Sequence, residues 1–374
     1  MQVISCFKKE DLIMKMKKVL ILGLCAVAAV GLFACGGDKK DTSKGDNFEI
    51  AMITDKGTID DKSFNQGTWE GIKEFAEKNN KTYKYYQPTE DADAARMEQI
   101  DLAVKNGAKI IATPGFLFEK SIFTAQNKYP DVKFILIDGN PVNPETNKVE
   151  IGKNTVGITF KEQEAGYLAG YAAVMNGYTK LGFMGGQPVP AVVRYGYGFV
   201  QGANDAAAKK NVKVDIKFGY AGDFNPSPDI QTKAAGWYAS GTEVIFSCGG
   251  GIYSSITAAA EAAGKAVIGV DVDQSGESQT IVTSATKGLS VAVEKELKAF
   301  YDGKFPGGES VVLGAKDDAV GLPMKTSKLE KFTQAEYDEV FAMLKEGKVN
   351  IPTDTDVKAA NELNVPSVTV EVVS

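Results

Sequence analysis

Polar and glycine residues follow the apolar, β-rich runs of this sequence at nearly every point where such a run ends. They come from both halves of the chain, and random surface loops would be richer in lysine and glutamate. In open parallel α/β sheets, ligands bind beyond the carboxyl ends of the strands. These residues are therefore candidates for one binding site. The main members of the set are Asp55, Gly115, Asp138, Gly249, Gly250, Asp271 and Lys287.

Aromatic residues are the second sign of a binding site. Phe64 lies in the loop DDKSFNQ, and Tyr195, Tyr197 and Phe199 lie close together in RYGYGF. Two rings from opposite halves can hold a flat heterocycle between them, and offset stacking adds about 0.5–1.5 kcal/mol per ring pair. The alternative is that these rings belong to the core side of a helix that is predicted to start near Tyr195. That is our interpretation of Phe199, whereas the loop setting of Phe64 favours a ligand contact.

Four polar side chains fit the rim of such a ligand. Asn65 can donate and accept, and Asp138 can accept, as the edge of a purine requires. Asp271 and Lys287 would suit vicinal hydroxyls. Each has a structural alternative, because the aspartates can cap the turns that follow them and the lysine can be a solvated surface charge.

Composition argues against catalysis. The chain has no histidine, which removes the commonest general base and excludes Ser-His-Asp and Cys-His mechanisms. Enzymes that use carboxylates or lysine stay conceivable, but we expect a binding protein and not an enzyme. A formal charge of −6 offers no basic face for phosphates, so nucleic acid is not an expected partner.

No motif indicates a metal or a cofactor. The glycines after VIFSC lack both the GxxxxGK[ST] spacing and the GxGxxG order of phosphate-binding loops. They are interpreted as residues needed for positive φ or close backbone approach. The acidic pairs Asp60–Asp61 and Asp271/Asp273 lack the spacing of a calcium loop.

The N-terminus has the pattern of a processed, lipid-anchored segment. Basic KMKK precedes an apolar run over 19–34 that is short for a membrane span, and the run ends at LFACGG. We expect a signal peptide over 1–35 that ends at a lipobox, lipidation of Cys35, and a flexible tether over 36–47. An ordinary secretory signal cleaved near Ala34 is the alternative. Of the four cysteines only Cys248 lies in the body, where a buried structural thiol is predicted.

Strand-like and helical stretches alternate from residue 48 onward. Strands are predicted over 49–54, 82–88, 109–115 and 133–139, and again over 180–186, 214–222, 243–250 and 266–273, with a connector near 150–159. This rhythm predicts an α/β fold of two doubly wound parallel-sheet lobes with a ligand cleft between them. We expect the first lobe over 48–158 with part of 284–306, and the second over 159–283 with part of 307–374.

The order MITD-x-GTIDDKSFNQ, GGQPVP-x-VVRYGYGFVQGA, VIGVDVDQ and VTSATK resembles the basic membrane protein family. These are substrate-binding lipoproteins of bacterial ABC importers, and the family includes purine nucleoside receptors. The resemblance implies a type I periplasmic binding protein fold whose lobes close on a nucleoside. It further implies a permease and an associated ATPase as partners, and an extracytoplasmic, lipid-anchored location at the cell membrane.

The resemblance also implies roles for individual residues. The base would lie between Phe64 and Tyr195, with Asn65 and Asp138 at its edge, and the ribose would meet Asp271, Lys287 and the backbone of the 249–251 turn. Asp55 and Gly115 match family positions near the cleft. A sugar or another small solute as ligand, or a membrane-tethered sensor or regulator with the same fold, are the alternatives.

Overall fold

The computed structural model describes residues 47–373. Their strands are β1 Ile50–Ile53, β2 Tyr83–Tyr86, β3 Ile110–Pro114, β4 Lys133–Ile137, β5 Thr155–Phe160, β6 Lys180–Gly185, β7 Val214–Tyr220, β8 Val244–Cys248, β9 Ala266–Asp271, β10 Ile281–Lys287, β11 Ser310–Leu313, β12 Val320–Gly321 and β13 Val368–Val373. Their α-helices are α1 Phe64–Lys78, α2 Asp93–Lys105, α3 Glu119–Lys128, α4 Glu162–Asn176, α5 Pro190–Lys210, α6 Pro228–Ala239, α7 Tyr253–Ala263, α8 Leu289–Tyr301 and α9 Gln334–Lys345.

The first sheet has the strand order β11-β5-β4-β3-β1-β2, and all its pairings are parallel. Its central strands are apolar and buried on both faces. Along β1, Ile50 and Met52 join a core cluster with Ile72 of α1, whereas Ala51 and Ile53 join a cluster on the opposite face. A parallel sheet covered by helices on both sides follows from this pattern.

The second sheet has the order β12-β10-β9-β8-β6-β7-β13, in which only the β10–β12 pairing is antiparallel. Its central part, β7-β6-β8-β9-β10, repeats the order β2-β1-β3-β4-β5 of the first sheet. In each sheet the strand order therefore reverses beside the lobe's first strand, β1 or β6. Open α/β sheets bind ligands at such a reversal of strand order. The predicted α/β fold of two doubly wound parallel sheets is confirmed.

Within the described residues the chain passes between the two sheets three times, at Lys161, Gly288 and Gly314. The middle passage brings α8 back against α1, where the Ser290 hydroxyl donates to the Gly67 carbonyl over 2.7 Å. The stretch 310–313 then adds β11 to the first sheet, beyond the 284–306 segment expected to return there. The lobe boundaries remain a proposal. The pairing of β11 with β5 extends the returning segment of the first lobe to residue 313.

Two local predictions were wrong. The segment near 150–159 is not a plain connector, because β5 begins at Thr155 and is paired on both sides. Helix α5 begins at Pro190 rather than at Tyr195, since proline at the first helical position has its fixed φ and needs no N–H partner. Tyr195 therefore lies inside the helix, in its second turn.

The predicted signal peptide, Cys35 and the tether up to residue 46 lie outside the described residues. Within the described range, none of the helices combines the length and apolar character that crossing a bilayer requires.

Candidate functional site

A cavity of about 270 Å³ lies between the carboxyl ends of the two sheets. Small-molecule sites usually have volumes of about 300–1,000 Å³. This cavity lies just below that range and therefore suits a small solute. The structure brings every predicted ligand-binding residue to its wall. These residues are Asp55, Phe64, Asn65, Gly115, Asp138, Tyr195, Gly249, Gly250, Asp271 and Lys287.

The first lobe supplies its residues from strand ends and from the start of α1. Asp55 follows β1, Gly115 follows β3 and Asp138 follows β4, while Phe64 and Asn65 open the helix. Gly115 has φ +121°, and a Cβ there would lie 3.3 Å from the Asp55 side chain. A glycine is therefore needed for both the backbone conformation and the close approach of Asp55.

The second lobe supplies its residues in the same way. Gly249 and Gly250 follow β8, Asp271 ends β9 and Lys287 ends β10. A Cβ on Gly249 would lie 2.9 Å from the backbone nitrogen of Gly186. This turn is glycine-rich because two backbone segments approach each other there. This agrees with the sequence analysis, which interpreted these glycines as needed for close backbone approach and not for phosphate binding.

Asp61 organises the loop that carries Phe64. One carboxylate oxygen accepts from the backbone N–H groups of Ser63 and Gln66, at 2.9 and 3.0 Å, and the other accepts from the backbone N–H of Asn65 at 3.0 Å. The carboxylate thus caps the free N–H groups at the start of α1. Burial nevertheless raises the pKa of Asp61, against the lowering effect of these donors.

Asn65 is used differently from the prediction. Its amide donates to Asp55 Oδ1 at 2.8 Å and to Asp61 Oδ2 at 3.0 Å, and its oxygen accepts from the Asp55 N–H at 3.2 Å. Because both amide N–H donors are already engaged, only the oxygen retains capacity for a ligand. The expected donor role toward a purine edge is therefore not available in this arrangement.

Lys287 lies at the centre of a buried acidic cluster. Its ammonium forms an ion pair with Asp138 of the first lobe and lies 3.7 Å from both Asp271 and Glu162. It also lies 4.5 Å from the centroid of the Phe64 ring, within cation–π range. Burial alone would lower the pKa of Lys287, but the three carboxylates raise it overall. The lysine is thus a buried, charged residue and not the surface charge considered as an alternative.

Asp271 is held from both lobes. The Ser63 hydroxyl of the first lobe donates to Asp271 Oδ2 at 2.5 Å, and the Tyr195 hydroxyl donates to Oδ1 at 3.5 Å. Burial raises the pKa of Asp271, while Lys287 and Ser63 act in the opposite direction. The carboxylate faces the cavity with its lone pairs only partly used.

Glu162 and Arg194 were missed by the sequence interpretation. Glu162 is fully buried at the start of α4, and the Arg194 guanidinium donates to it at 2.6 Å and to Asp354 at 3.1 Å. The second oxygen, Glu162 Oε1, accepts no hydrogen bond in the described structure and faces Lys287. Burial and the nearby Asp138 raise the pKa of Glu162. No motif marks this residue, because it lies 125 positions before the lysine it meets.

The aromatic residues divide into core and cavity groups. Phe199 is fully buried against Phe246 and Phe183, which confirms its prediction as a core residue. Tyr195 lines the cavity but is only 2% exposed, with its ring edge-on to Phe246 at 5.9 Å. Tyr195 therefore offers the cavity little ring face in this structure.

Phe224 and Phe116 also line the cavity. Phe224 follows β7, and its ring packs against Gly186 and Gly249, which follow β6 and β8 of the second lobe. Phe116 is 39% exposed at the end of β3. Phe224 was not predicted as a cavity residue, although it lies shortly after a strand, where the rule applied to the polar residues would have found it.

Cys248 is buried at 1% exposure and unpaired, which confirms the predicted structural thiol, and burial raises its pKa. It also forms part of the cavity wall. Across residues 47–373, no three carboxylate, cysteine or histidine side chains lie close enough together to hold a metal ion.

Residues 48–355 match a family model described as "ABC transporter substrate-binding protein PnrA-like". A Listeria innocua protein named CD4+ T-cell-stimulating antigen is 30% identical over 90% of this chain and 99% of its own length. The Lactococcus lactis protein named ABC transporter nucleoside-binding protein BmpA is 29% identical over the same shares. Basic membrane protein A of Borreliella burgdorferi is 27% identical over 91% of this chain and 97% of its own.

Solved structures show the same architecture. An ABC transporter solute-binding protein from Aeropyrum pernix superimposes with a TM-score of 0.72 at 21% identity, over 84% of this chain and 96% of that one. The lac repressor dimer bound to operator superimposes with a TM-score of 0.52 at 11% identity, over 76% of this chain and 83% of that one. At these identities the likeness shows the fold alone, which is that of type I periplasmic binding proteins.

Proposed function

We propose that this chain captures a purine nucleoside between its two lobes for delivery to a permease. The chain belongs to the family of PnrA-like substrate-binding proteins of ABC transporters. The family is one of solute-binding proteins and not of enzymes. The basic membrane protein relationship inferred from the sequence motifs is confirmed by the same match. Nucleoside as the ligand is supported by the name of the Lactococcus lactis relative.

The single observation that carries this proposal is the composition of the cavity wall. Aromatic residues from the two lobes, Phe64 and Phe224, line the same cavity as Asp138, Asp271 and Lys287. A planar base can use the ring faces, with Tyr195 beside it, while the carboxylates and the ammonium meet polar groups at the rim. Each stacked ring pair contributes about 0.5–1.5 kcal/mol beyond simple burial.

The polar groups suit a ribose better than an isolated base. Each carboxylate oxygen of Asp271 accepts one hydrogen bond and has a second lone pair, so Asp271 can accept from a ligand hydroxyl while Lys287 donates to the neighbouring one. Asp138 has a buried oxygen, Oδ1, that accepts no hydrogen bond in the described structure, and it is available to a ring N–H of the base. Asp55 and Gly115 form the adjoining wall.

Charge favours a nucleoside over a nucleotide. Asp55, Asp60, Asp61, Asp138 and Asp271 line the cavity, and Lys287 is the single cationic side chain on the described wall. Since that lysine already faces three carboxylates, a phosphate would meet net negative charge at short range. An uncharged ligand avoids this repulsion.

Capture follows from the two-lobed arrangement. A ligand that contacts Phe64 and Asp138 on one lobe and Asp271 on the other stabilises the closed form, because only closure engages both sets. The three passages at Lys161, Gly288 and Gly314 are the proposed hinge. The closed protein, tethered to the cell membrane through a lipid on Cys35, would deliver its ligand to the permease and its ATPase.

A thermal-shift screen tests the proposal. Adenosine, guanosine and inosine should raise the melting temperature, since ligand at about 100 times Kd adds about 2.7 kcal/mol of stability. Adenine, ribose, arabinose and guanosine monophosphate should act weakly or not at all. A shift with a sugar alone would favour the sugar-binding alternative. Consumption of a nucleoside during incubation would contradict a binding role.

Genome context separates transport from sensing. A gene for this protein beside genes for a permease and an ATPase agrees with uptake. A gene with neither neighbour, together with nucleoside binding, would favour the sensor or regulator.

A further inference from the structure

Two hydrogen bonds join the loop before α1 of the first lobe to the end of β9 in the second. The Ser63 hydroxyl donates to Asp271 Oδ2 at 2.5 Å. The Gln274 amide donates to the Lys62 carbonyl at 2.7 Å. Ser63 and Gln274 have no exposed surface, and the Ser63–Asp271 bond is buried, whereas the Gln274–Lys62 bond is part-buried.

Neither Ser63 nor Gln274 lines the cavity, although their neighbours do. Phe64 and Asn65 follow Ser63 directly and form part of the wall, and so does Asp271, three residues before Gln274. Ser63 and Gln274 therefore do not contact the ligand directly. They act on it through the cavity residues beside them in the chain and through the groups to which they donate hydrogen bonds.

Gln274 is anchored firmly to the second sheet. Its side-chain oxygen accepts from the Val270 N–H at 3.0 Å, and its own backbone N–H donates to the Ser284 hydroxyl at 3.1 Å. The remaining function of its amide is the donation across to Lys62. That carbonyl therefore has a fixed position relative to β9 and β10.

The backbone of the receiving loop is strained. Lys62 has φ +55°, in the left-handed region that residues other than glycine, asparagine and aspartate rarely occupy. Such a conformation persists where the surroundings hold it. The Lys62 N–H donates to Gln66 Oε1 at 3.0 Å and the Ser63 N–H donates to Asp61, both within the first lobe, while the Gln274 bond holds the loop from the second lobe. Release of the Gln274 bond should therefore let the loop relax.

We infer that Ser63 and Gln274 are positioning residues that form an interlobe clasp, through which the stacking residue Phe64 and the ribose residue Asp271 are set at the separation one nucleoside requires. The clasp means here the Ser63–Asp271 and Gln274–Lys62 hydrogen bonds. This inference rests on the proposed function for the identity of the ligand. Its structural part, the coupling of loop to second lobe, is independent of any ligand.

Hydrogen–deuterium exchange tests the structural part without ligand. Gln274→Met keeps side-chain length and removes the amide, and Ser63→Ala removes the hydroxyl. Peptides that cover residues 57–66 should exchange at least about tenfold faster in Gln274→Met than in the wild type, because the loop loses an interlobe hydrogen bond that opposes its local opening. Gln231→Ala, on the exposed side of α6, should leave the same peptides unchanged. Equal exchange in the wild type and in both clasp variants would overturn the inference.

Binding selectivity tests the functional part. In Ser63→Ala the affinity for adenosine should fall about tenfold, with adenine affected far less, because the orientation of Asp271 is what changes. A general structural defect would weaken both ligands equally and would contradict the positioning role. If the wild type binds no nucleoside while Gln274→Met still loosens residues 57–66, the proposed function fails and the clasp stands. If Gln274→Met does not fold, Ser63→Ala alone decides the outcome.

Discussion

Asp138 and Asp271 occupy equivalent positions in the two lobes, and both carry a left-handed backbone. Asp138 directly follows β4, the fourth strand of the first lobe, with φ +62°, and Asp271 ends β9, the fourth strand of the second, with φ +66°. Aspartate tolerates this region better than most residues. The turn aims both carboxylates at Lys287, which therefore joins the lobes through one buried cation.

Asp271→Asn should separate binding from stability. We expect adenosine affinity to fall tenfold or more, about 1.4 kcal/mol or above, and adenine affinity to change much less. Because burial raises the pKa of Asp271, its charge is a cost in the empty cavity, and the neutral asparagine should not lower the melting temperature. Calorimetric titration with both ligands measures the first effect. Equal losses for adenosine and adenine would refute the ribose assignment.

Phe64→Ala should weaken every nucleoside irrespective of its base. Loss of one stacked ring and its burial predicts at least about a tenfold loss of affinity. Phe224→Ala should act similarly from the second lobe. Tyr85→Ala is the control, since this exposed ring lies on β2 away from the cavity. Unchanged binding in Phe64→Ala would remove the stacking role.

Acidification should weaken nucleoside binding. The ionised form of Asp271 accepts the ribose hydroxyl, and its pKa lies above the ordinary 3.8 because of burial. Affinity should therefore be full above that raised pKa and fall as pH drops through it, at most about tenfold per unit for one proton. Titrations with adenosine between about pH 8 and about pH 5 measure this slope. Asp271→Asn should flatten it, and an identical slope in the variant would assign the effect to another group.

The same raised pKa changes the folding stability of the empty protein in the opposite direction from ligand affinity as pH falls. A carboxyl that binds its proton more tightly when folded contributes stability as pH falls from the folded toward the unfolded pKa. Protonation of Asp271 should thus weaken the ligand complex without destabilising the empty protein. Melting curves without ligand over the same pH range check this distinction against Asp271→Asn.

Lys287→Met should destabilise the protein strongly. Removal of the lysine leaves Asp138 and Asp271 as buried charges without their cation and Glu162 with Arg194 alone, and broken buried pairs cost about 3–5 kcal/mol. Lys287→Met combined with Asp138→Asn should recover part of this loss, which denaturant unfolding measures as a double-mutant cycle. Lys298→Met, at the exposed pair with Asp302, should cost about 1 kcal/mol or less. Strict additivity in the cycle would contradict a direct Lys287–Asp138 coupling.

Gly115→Ala and Gly236→Ala should change stability in opposite directions. Gly115 has φ +121°, and an added Cβ would press on Asp55, so alanine should cost about 1–3 kcal/mol. Gly236 lies within α6 with no atom near its missing Cβ, so alanine should stabilise by about 0.5–1 kcal/mol. Chemical denaturation of both variants measures the difference. Equal effects would show that backbone conformation at the end of β3 carries no strain.

The sequence alone determined the parallel α/β architecture and the residues that reach the cleft. Apolar runs such as IAMI and KFILI reveal strands buried on both faces, and the residues after such strands must emerge at the carboxyl edge of a parallel sheet. Asp138, Asp271 and Lys287 were found by that rule. That rule depends only on the local periodicity of apolar residues, which can be read directly from the order of residues in the chain.

Only the tertiary structure decided which polar atoms meet. The two amide N–H groups of Asn65 donate to Asp55 and Asp61. Lys287 lies next to one passage between the lobes and contacts Glu162, which lies next to another. The strand β5 and the cavity role of Phe224 likewise depended on neighbours distant in sequence. Hydrogen bonds are directional over about 3 Å, so their partners depend on how the loops and lobes approach one another, and no local pattern of residue types encodes that approach.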